Sequence, residues 1–435
     1  MTTLYFLGAA GEVGRSSFLV DQKKPVLLDC GVKLAEDEEE YPVLEAKDIG
    51  RLDKVVLSHA HLDHSGFLPY LYRQKTGAKA VMTKPTRDLI QVLLADYLRI
   101  NQGASPYEQK DVLEMLKNTH ITEFNQTADG VTFHPAGHIL GAAMTRLELA
   151  NKKTLLYTGD INLRETRLLD GAQTGIPADA LIIESTYGGT NDRHASLKAA
   201  TAELIATIQK TLDRNGKVLI PTFAIGRGQE LLFTLENFMR SGLLQDVPIY
   251  LDGMVGKVLR IYRHNALYLK KEVQHRILTS DDDPFKSSHY QTPKTKDRSD
   301  VLNQEKAIIL ATSGMLNGGP VLHYLKHLAP HPENTLLIVG FQAKGTRGRE
   351  LVEGAKELAL DDQLIPINME VCETKFSGHS DQPELLQFIR STKGVKDIFI
   401  VHGEKQKAEQ LAEAAQRLHK NASIHVPAVG EQIKI

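Results

Sequence analysis

The chain has 435 residues, more than one hydrophobic core usually organises, so we expect roughly two or three domains. Its 52 basic and 54 acidic side chains give a formal net charge of -2, which excludes a strongly basic chain that binds polyanions by bulk charge alone. The two cysteines, Cys30 and Cys372, are too few for a disulfide framework.

The N-terminal residues lack a basic segment followed by an apolar run, so we expect no signal peptide. Nowhere in the sequence do about eighteen apolar residues follow one another, so no membrane-spanning helix is expected. The sequence therefore predicts a cytoplasmic protein without a membrane partner.

Short apolar runs between residues 4 and 30 predict consecutive strands without intervening helices. Glycines 8, 11 and 14 have a spacing similar to that of a dinucleotide-binding loop, but a strand follows them, so we interpret them as turn residues. Later strands alternate with longer helical patterns, which favours an α/β fold. From about residue 196 the rhythm is that of βαβ units, which predicts a mostly parallel sheet and a domain boundary near Tyr187.

The densest chemical signal follows a strand predicted at residues 54–58. The next six residues contain three imidazoles and a carboxylate: His59, His61, Asp63 and His64. Side chains two apart at a strand end point the same way, so the first two histidines can bind one ion while a turn directs the other two ligands to a second. Zinc suits such a mixture of nitrogen and oxygen ligands. A mononuclear site and a solvated polar loop are the alternatives.

Further candidate ligands stand at the ends of later predicted strands. His138 follows the strand predicted at 131–133, and Asp160 follows the strand predicted at 154–157. Loops at strand ends often carry ligands in layered α/β proteins, but taken alone such a histidine is more often structural and such an aspartate more often belongs to a turn or cap. Asp29 interrupts an apolar run, so it needs a partner if it is buried. Orienting a ligand histidine through its free ring nitrogen would provide that partner.

In this order, these residues resemble the pattern of the metallo-β-lactamase superfamily. Three later segments resemble motifs A, B and C of its β-CASP nucleases: Ile183-Glu184-Ser185-Thr186-Tyr187-Gly188, Phe376-Ser377-Gly378-His379-Ser380-Asp381 and Val401-His402-Gly403-Glu404. The resemblance implies a metallo-β-lactamase αββα sandwich with an inserted β-CASP α/β domain. The implied domains are residues 1–187 and 369–435 for the metallo-β-lactamase part and 188–368 for the β-CASP domain.

The resemblance also implies individual roles. It assigns His59, His61 and His138 to a first zinc ion, Asp63, His64 and His402 to a second, and Asp160 to both. His379 would donate a proton to the departing ribose oxygen while Glu184 holds its ring, and Asp63 would act with them in catalysis. Two zinc ions would activate water near neutral pH and neutralise charge that develops on phosphorus.

His402 carries the substrate inference. In the resemblance, a histidine in motif C accompanies members that cleave RNA, whereas members that process DNA usually have an aliphatic residue there. The chain therefore resembles the nuclease subunit of the cleavage and polyadenylation specificity factor and its archaeal and bacterial relatives. We expect a zinc-dependent ribonuclease that leaves 5′-phosphate and 3′-hydroxyl ends. Because a strand is predicted from residue 3, we expect no appended KH module.

Four residues are candidates for contacts with RNA phosphates. Arg227 opens a predicted helix, Lys344 and Arg347 lie in a glycine-rich segment, and Ser377 is close to His379. Ordinary surface positions are the alternative for the basic residues. Aromatic residues make up only 6% of the chain, so extensive base stacking is not expected and binding should be weakly sequence-selective.

Other functions are compatible with parts of the same pattern. A β-CASP DNA nuclease would differ in its preferred substrate, and a small-molecule metallohydrolase would need neither the insertion nor His379. A silent RNA-binding scaffold should have lost metal ligands, and none of the seven is missing. The sequence is compatible with endonucleolytic cleavage, with additional 5′-to-3′ exonucleolytic cleavage, and with a homodimer or a processing complex.

Overall fold

The computed structural model describes residues 2–34, 39–101, 103–280, 282–374 and 376–435. The chain divides into two compact units. Unit 1 comprises Met1–Glu165, Leu169–Arg193 and His379–Ile435, and unit 2 comprises Thr166–Leu168 and His194–Gly378. The units meet at residues 193–194 and 378–379, and the predicted domain limits at residues 187 and 368 stay a prediction.

The strands of the described chain are, in order, β1 (Thr3–Gly8), β2 (Ser17–Asp21), β3 (Val26–Leu28), β4 (Lys54–Val56), β5 (Lys79–Met82), β6 (Thr119–Ile121), β7 (Thr127–Ala128), β8 (Val131–Pro135), β9 (Ala143–Glu148), β10 (Thr154–Tyr157), β11 (Ala180–Glu184), β12 (Lys217–Pro221), β13 (Ile249–Asp252), β14 (Tyr290–Gln291), β15 (Ala307–Ala311), β16 (Thr335–Val339), β17 (Glu357–Leu360), β18 (Gln363–Pro366), β19 (Glu370–Thr374), β20 (Asp397–Val401), β21 (Ser423–His425) and β22 (Gln432–Lys434).

The α-helices of the described chain are α1 (Ala46–Arg51), α2 (Leu62–Ser65), α3 (Leu68–Arg73), α4 (Lys84–Asn101), α5 (Gln109–Lys117), α6 (Leu197–Asp213), α7 (Arg227–Arg240), α8 (Val255–His264), α9 (Lys271–Leu278), α10 (Arg298–Leu302), α11 (Pro320–Leu328), α12 (Arg347–Val352), α13 (Gln382–Ser391) and α14 (Lys405–Leu418). Among the residues that the structure describes, no helix has the length and apolar composition needed to cross a membrane.

Unit 1 is built on two seven-stranded sheets, with strand orders β22-β1-β2-β3-β4-β5-β6 and β21-β20-β11-β10-β9-β8-β7. Aromatic side chains join the sheets face to face: the rings of Phe6 and Phe399 lie 5.5 Å apart, and those of Phe18 and Tyr157 lie 5.4 Å apart. The β3 and β11 strands are buried throughout because sheets in such a sandwich are covered on both faces. The αββα sandwich predicted from the sequence is confirmed.

Unit 2 contains a six-stranded sheet of order β14-β13-β15-β12-β16-β19. Every neighbouring pair in it is parallel, as the predicted βαβ rhythm requires. The strands β17 and β18 form a separate antiparallel hairpin. The expectation of a mostly parallel sheet in the second part of the chain is therefore confirmed.

Candidate metal centre

The histidine-rich hexad lies where β4 leads into α2. The sequence predicted a turn at Asp63 and His64, but these residues belong to α2, which begins at Leu62. The carbonyl of His61 accepts hydrogen bonds from the backbone N–H groups of His64 and Ser65, which closes the first helical turn. A four-residue helix is too short to show periodicity in a sequence, so the prediction of a turn was wrong there.

The first ligand group consists of His59, His61, His138 and Asp160. The Nδ1 atom of His61 lies 3.2 Å from Nε2 of His59 and 3.1 Å from Nε2 of His138. The Oδ2 atom of Asp160 lies 3.5 Å from Nε2 of His59 and 3.6 Å from Nε2 of His138. These four atoms belong to residues separated by up to a hundred positions, yet they converge on one point in the fold.

The spacing of the first group matches the dimensions of a zinc site. In a tetrahedral site with zinc–ligand bonds of about 2.0 to 2.1 Å, neighbouring ligand atoms lie about 3.3 to 3.4 Å apart. The four measured separations scatter around that value. Burial lowers the pKa of His59 well below its usual value, aided by the neighbouring His64, and metal ligation requires neutral imidazole. These residues therefore fit a zinc ion.

The second ligand group consists of Asp63, His64 and His402. The Oδ2 atom of Asp63 lies 3.2 Å from Nε2 of His402 and 3.9 Å from Nε2 of His64. Asp160 faces this group through its other oxygen, because Oδ1 lies 3.3 Å from Nε2 of His64. Within the described residues, this buried Oδ1 atom has no hydrogen-bond partner of acceptable geometry, a cost that a cation would offset. Asp160 thus lies between two groups of potential metal ligands.

Asp29 fixes the orientation of His64. Its Oδ2 atom lies 2.7 Å from Nδ1 of His64, which leaves Nε2 of that ring facing the ligand group. The same carboxylate accepts hydrogen bonds from the Ser58 backbone N–H, the Ser58 hydroxyl and the Tyr157 hydroxyl, at 2.6 to 2.7 Å. Asp29 has a positive φ of 57°, a strained conformation for a residue with a side chain. Its dense hydrogen bonding holds it there.

Glu184 and His379 form a pair beside the ligand groups. Nδ1 of His379 lies 2.9 and 3.0 Å from the two oxygens of Glu184, whose side chain is fully buried. Burial lowers the pKa of His379, but the carboxylates of Glu184 and Asp160 outweigh this effect and raise the pKa to about 9. The His379 ring also lies 4.5 Å from that of His138. Its position would allow it to exchange a proton with a substrate held at the centre.

The four predicted phosphate contacts belong to unit 2, whereas every candidate metal ligand belongs to unit 1. Arg227 is the first residue of α7, and its guanidinium lies 5.9 Å from the centre of the Phe376 ring. Arg347 is the first residue of α12, Lys344 is exposed in the preceding loop, and Ser377 is half-buried. Contact of these side chains with RNA stays a prediction.

Sequence reasoning missed three polar residues that support the centre. Ser58 and Tyr157 bind Asp29, and the Thr186 hydroxyl lies 3.3 Å from Nδ1 of His402. A signal was present for each, because Ser58 directly precedes the hexad, Tyr157 ends the strand before Asp160, and Thr186 lies inside motif A. Their partners, however, are assigned only by the fold.

Three family models match this chain. The Metallo-beta-lactamase superfamily matches residues 10–210, and the Beta-Casp domain matches residues 228–351. A third model, described as a Zn-dependent metallo-hydrolase RNA specificity domain, matches residues 364–427. The candidate ligands up to Asp160 lie in the first match, and His379 and His402 lie in the third.

Relatives match the chain over most of its length. It is 40% identical to Transcription termination factor FttA of Methanocaldococcus jannaschii, over 99% of this chain and 71% of that protein. FttA of Methanothermobacter thermautotrophicus is 38% identical, over 95% of this chain and 69% of that protein.

A solved structure, of a protein of unknown function from Enterococcus faecalis V583, matches with a TM-score of 0.59 and 14% identity and covers 99% of both chains. At that identity it supports the fold alone. The family models, one of which is described as Zn-dependent, agree with the histidine and aspartate groups described above. The chain therefore belongs to the β-CASP family of the metallo-β-lactamase superfamily, a family of metal-dependent hydrolases.

Proposed function

We propose that this protein is a ribonuclease that hydrolyses RNA phosphodiester bonds with two zinc ions per chain. The observation that carries the proposal is the position of Asp160, whose two oxygens face two separate ligand groups. His59, His61 and His138 would hold the first ion, and the second ligand group would hold the other. When bound, zinc supplies Lewis acidity, which makes water a better nucleophile near neutral pH and offsets negative charge on the phosphate.

His379 would donate a proton to the departing ribose oxygen. A histidine can carry out this transfer near neutral pH, and Glu184 binds Nδ1 of the ring and so fixes its orientation. Nε2 is the atom that would donate the proton. The side chain of His379 is 17% exposed to solvent, whereas that of Glu184 is fully buried. The exposed member of the pair is thus the one able to touch RNA.

Asp63 would add a catalytic role to its role as a ligand. Its side chain is 31% exposed, far more than those of His64 and His402 in the same group. A carboxylate that reaches solvent beside a cation can order the attacking water through a hydrogen bond. Asp29 would orient His64 from behind, as carboxylates commonly do for metal-bound histidines.

RNA is the proposed substrate for two reasons. Motif C contains His402, the residue that accompanies RNA-cleaving members in the resemblance, and residues 364–427 match a model described as an RNA specificity domain. The relatives are named as transcription termination factors, and transcription produces RNA. We further propose that residues 188–368 form the β-CASP domain and that Arg227, Lys344, Arg347 and Ser377 contact RNA phosphates.

The function is tested with matched single-stranded RNA and DNA of one sequence, labelled either at the 5′ end or internally. We expect RNA to be cut and DNA to be cut much more slowly, with internal cuts that are indifferent to a 5′-monophosphate or 5′-triphosphate. Release of mononucleotides from monophosphorylated ends alone would show exonucleolytic cleavage instead. Preferential cleavage of DNA would contradict the proposed substrate.

Metal dependence is tested in the same assay. Dialysis against a chelator should abolish cleavage, zinc should restore it, and elemental analysis should find two zinc ions per chain. The Asp160→Asn variant is the matched control for nuclease contamination, because it removes the bridging charge while nearly preserving the shape of the side chain. Cleavage by that variant at the rate of the parent protein would assign the activity to a contaminant.

A further inference from the structure

The loop that follows Asp160 is tied to motif B by the residue next to His379. The backbone N–H of Ser380 donates to the carbonyl of Ile161 at 2.8 Å. The Ser380 hydroxyl accepts a hydrogen bond from the backbone N–H of Leu163 at 2.9 Å. Ser380 is fully buried, so these bonds are shielded from competing water. Two bonds therefore fix the chain beside His379 to the chain beside Asp160.

Glu184 completes a closed ring of contacts. Its Oε1 atom accepts a hydrogen bond from the Ile161 backbone N–H at 2.8 Å and lies 2.9 Å from Nδ1 of His379. The backbone of Ile161 thus donates to Glu184 through its N–H and accepts from Ser380 through its carbonyl. A displacement of Ser380 would move both the His379 ring and the backbone that continues from Asp160.

Arg164 adds a second tie between the same two segments. Its guanidinium lies 3.1 Å from Oδ2 of Asp381 and also binds the carboxylate of Glu384. Asp381 and Glu384 form the capping box of α13, in which each side chain binds the backbone N–H of the other residue. Arg164 therefore binds both acids that begin the helix, and His379 lies two residues before Asp381.

We propose that Ser380 and Arg164 are positioning residues that set the distance between His379 and Asp160. The inference rests on the proposed function, because it requires that His379 donates a proton and that kcat depends on its distance from Asp160. In the contacts described above, Ser380 binds backbone groups and Arg164 binds the two acids that begin α13. Ser380 acts through the backbone on both sides of the centre, and Arg164 acts through the start of α13.

The test compares Ser380→Ala and Arg164→Ala with Ser391→Ala. Ser391 is a matched control at the far end of α13. Its hydroxyl also accepts a hydrogen bond from a backbone N–H of the segment between β10 and β11, that of Gly175. We expect both test variants to keep two zinc ions and an unchanged KM while kcat falls on the order of 10- to 100-fold. Arg164→Lys should restore part of the loss, and the control should match the parent protein.

A double-substitution cycle with His379→Ala decides whether the effect passes through that histidine. If Ser380 acts by placing His379, Ser380→Ala should cause no further loss of kcat in the His379→Ala background. Losses that multiply, a rise of KM at constant kcat, or loss of zinc from Ser380→Ala would overturn the inference.

Amide hydrogen exchange provides a readout that does not depend on turnover. Exchange at Leu163 should accelerate in Ser380→Ala and stay unchanged in Ser391→Ala, and equal exchange in both would overturn the inference. If the parent protein cleaves no RNA, the proposed function fails, but the exchange experiment still tests the hydrogen bond between Ser380 and Leu163. If the parent cleaves RNA and Ser380→Ala is as active as the control, only the positioning inference fails.

Discussion

The two ligand groups share Asp160 but differ in the spacing of their ligand atoms and in the elements that carry them. In the first group, the side chains of His59 and His138 are at most 4% exposed, His61 is half-buried, and the measured ligand separations span 3.1 to 3.6 Å. In the second group, Asp63 is 31% exposed and the separations reach 3.9 Å. The first group is close to the geometry that zinc needs, whereas the second needs a larger adjustment.

The origin of the ligands explains this difference. The first group draws on loops that follow β4, β8 and β10, and those strands are anchored in the sheets. The second takes Asp63 and His64 from a four-residue helix, and His402, which directly follows β20, has a positive φ of 47°. Strained residues persist only where their surroundings hold them, so the second group depends more on neighbours such as Asp29 and Thr186. We therefore expect the first group to bind its ion more tightly.

Asp160→Ala should have the largest effect, because it removes the one residue common to both groups. We expect zinc content to fall at both sites and activity to drop by more than the roughly 10⁴-fold that loss of a general acid can cost. Elemental analysis and the cleavage assay measure the two effects. Asp170→Ala, an exposed carboxylate in the same loop, is the control and should be silent. Full zinc content in Asp160→Ala would refute the bridging role.

His379→Ala should leave both groups intact and still cost activity. Because the variant removes the proposed proton donor, kcat should fall about 10²- to 10⁴-fold while both zinc ions remain. Elemental analysis and steady-state kinetics on the same preparation separate the two effects. Loss of zinc would instead make His379 a ligand.

Asp29→Asn should weaken zinc binding in the second group and leave the first group unchanged. The amide keeps its size but carries no charge opposite Nδ1 of His64, so affinity for the second ion should fall about 10- to 100-fold. Competition with a zinc indicator at two chelator strengths measures each site. The first ion should stay bound, and equal weakening of both sites would contradict a specific role of Asp29 in the second group.

Tyr157→Phe should have the smallest effect. The ring still packs against Phe18, but the 2.6 Å hydrogen bond to Asp29 is lost. The free energy of unfolding should fall by about 1 to 3 kcal/mol because a buried acceptor loses a donor. Chemical denaturation measures the change, and activity should stay within about twofold because Ser58 continues to bind Asp29. A collapse of zinc affinity would give Tyr157 a larger role than this.

Much of the architecture could be predicted from hydrophobic patterns and motifs in the sequence. The parallel sheet of unit 2 follows from strands and helices that alternate from β12 onwards, and the sandwich of unit 1 follows from the resemblance. The short helix α2 was not readable, because hydrophobic periodicity cannot emerge from four residues. The supporting contacts of Tyr157, Thr186 and Ser380 escaped as well, since each partner is remote in sequence.

By itself, the sequence determined the family, the αββα sandwich and a set of candidate ligands, because motifs and hydrophobic periods are local properties of a chain. Only the tertiary structure decided that the two oxygens of Asp160 face different groups and that Ser380 joins the loop after Asp160 to the segment of His379. These arrangements depend on how β10, β11 and the segment before α13 pack. Distances between residues more than two hundred positions apart are set by that packing and are not encoded in spacing along the chain.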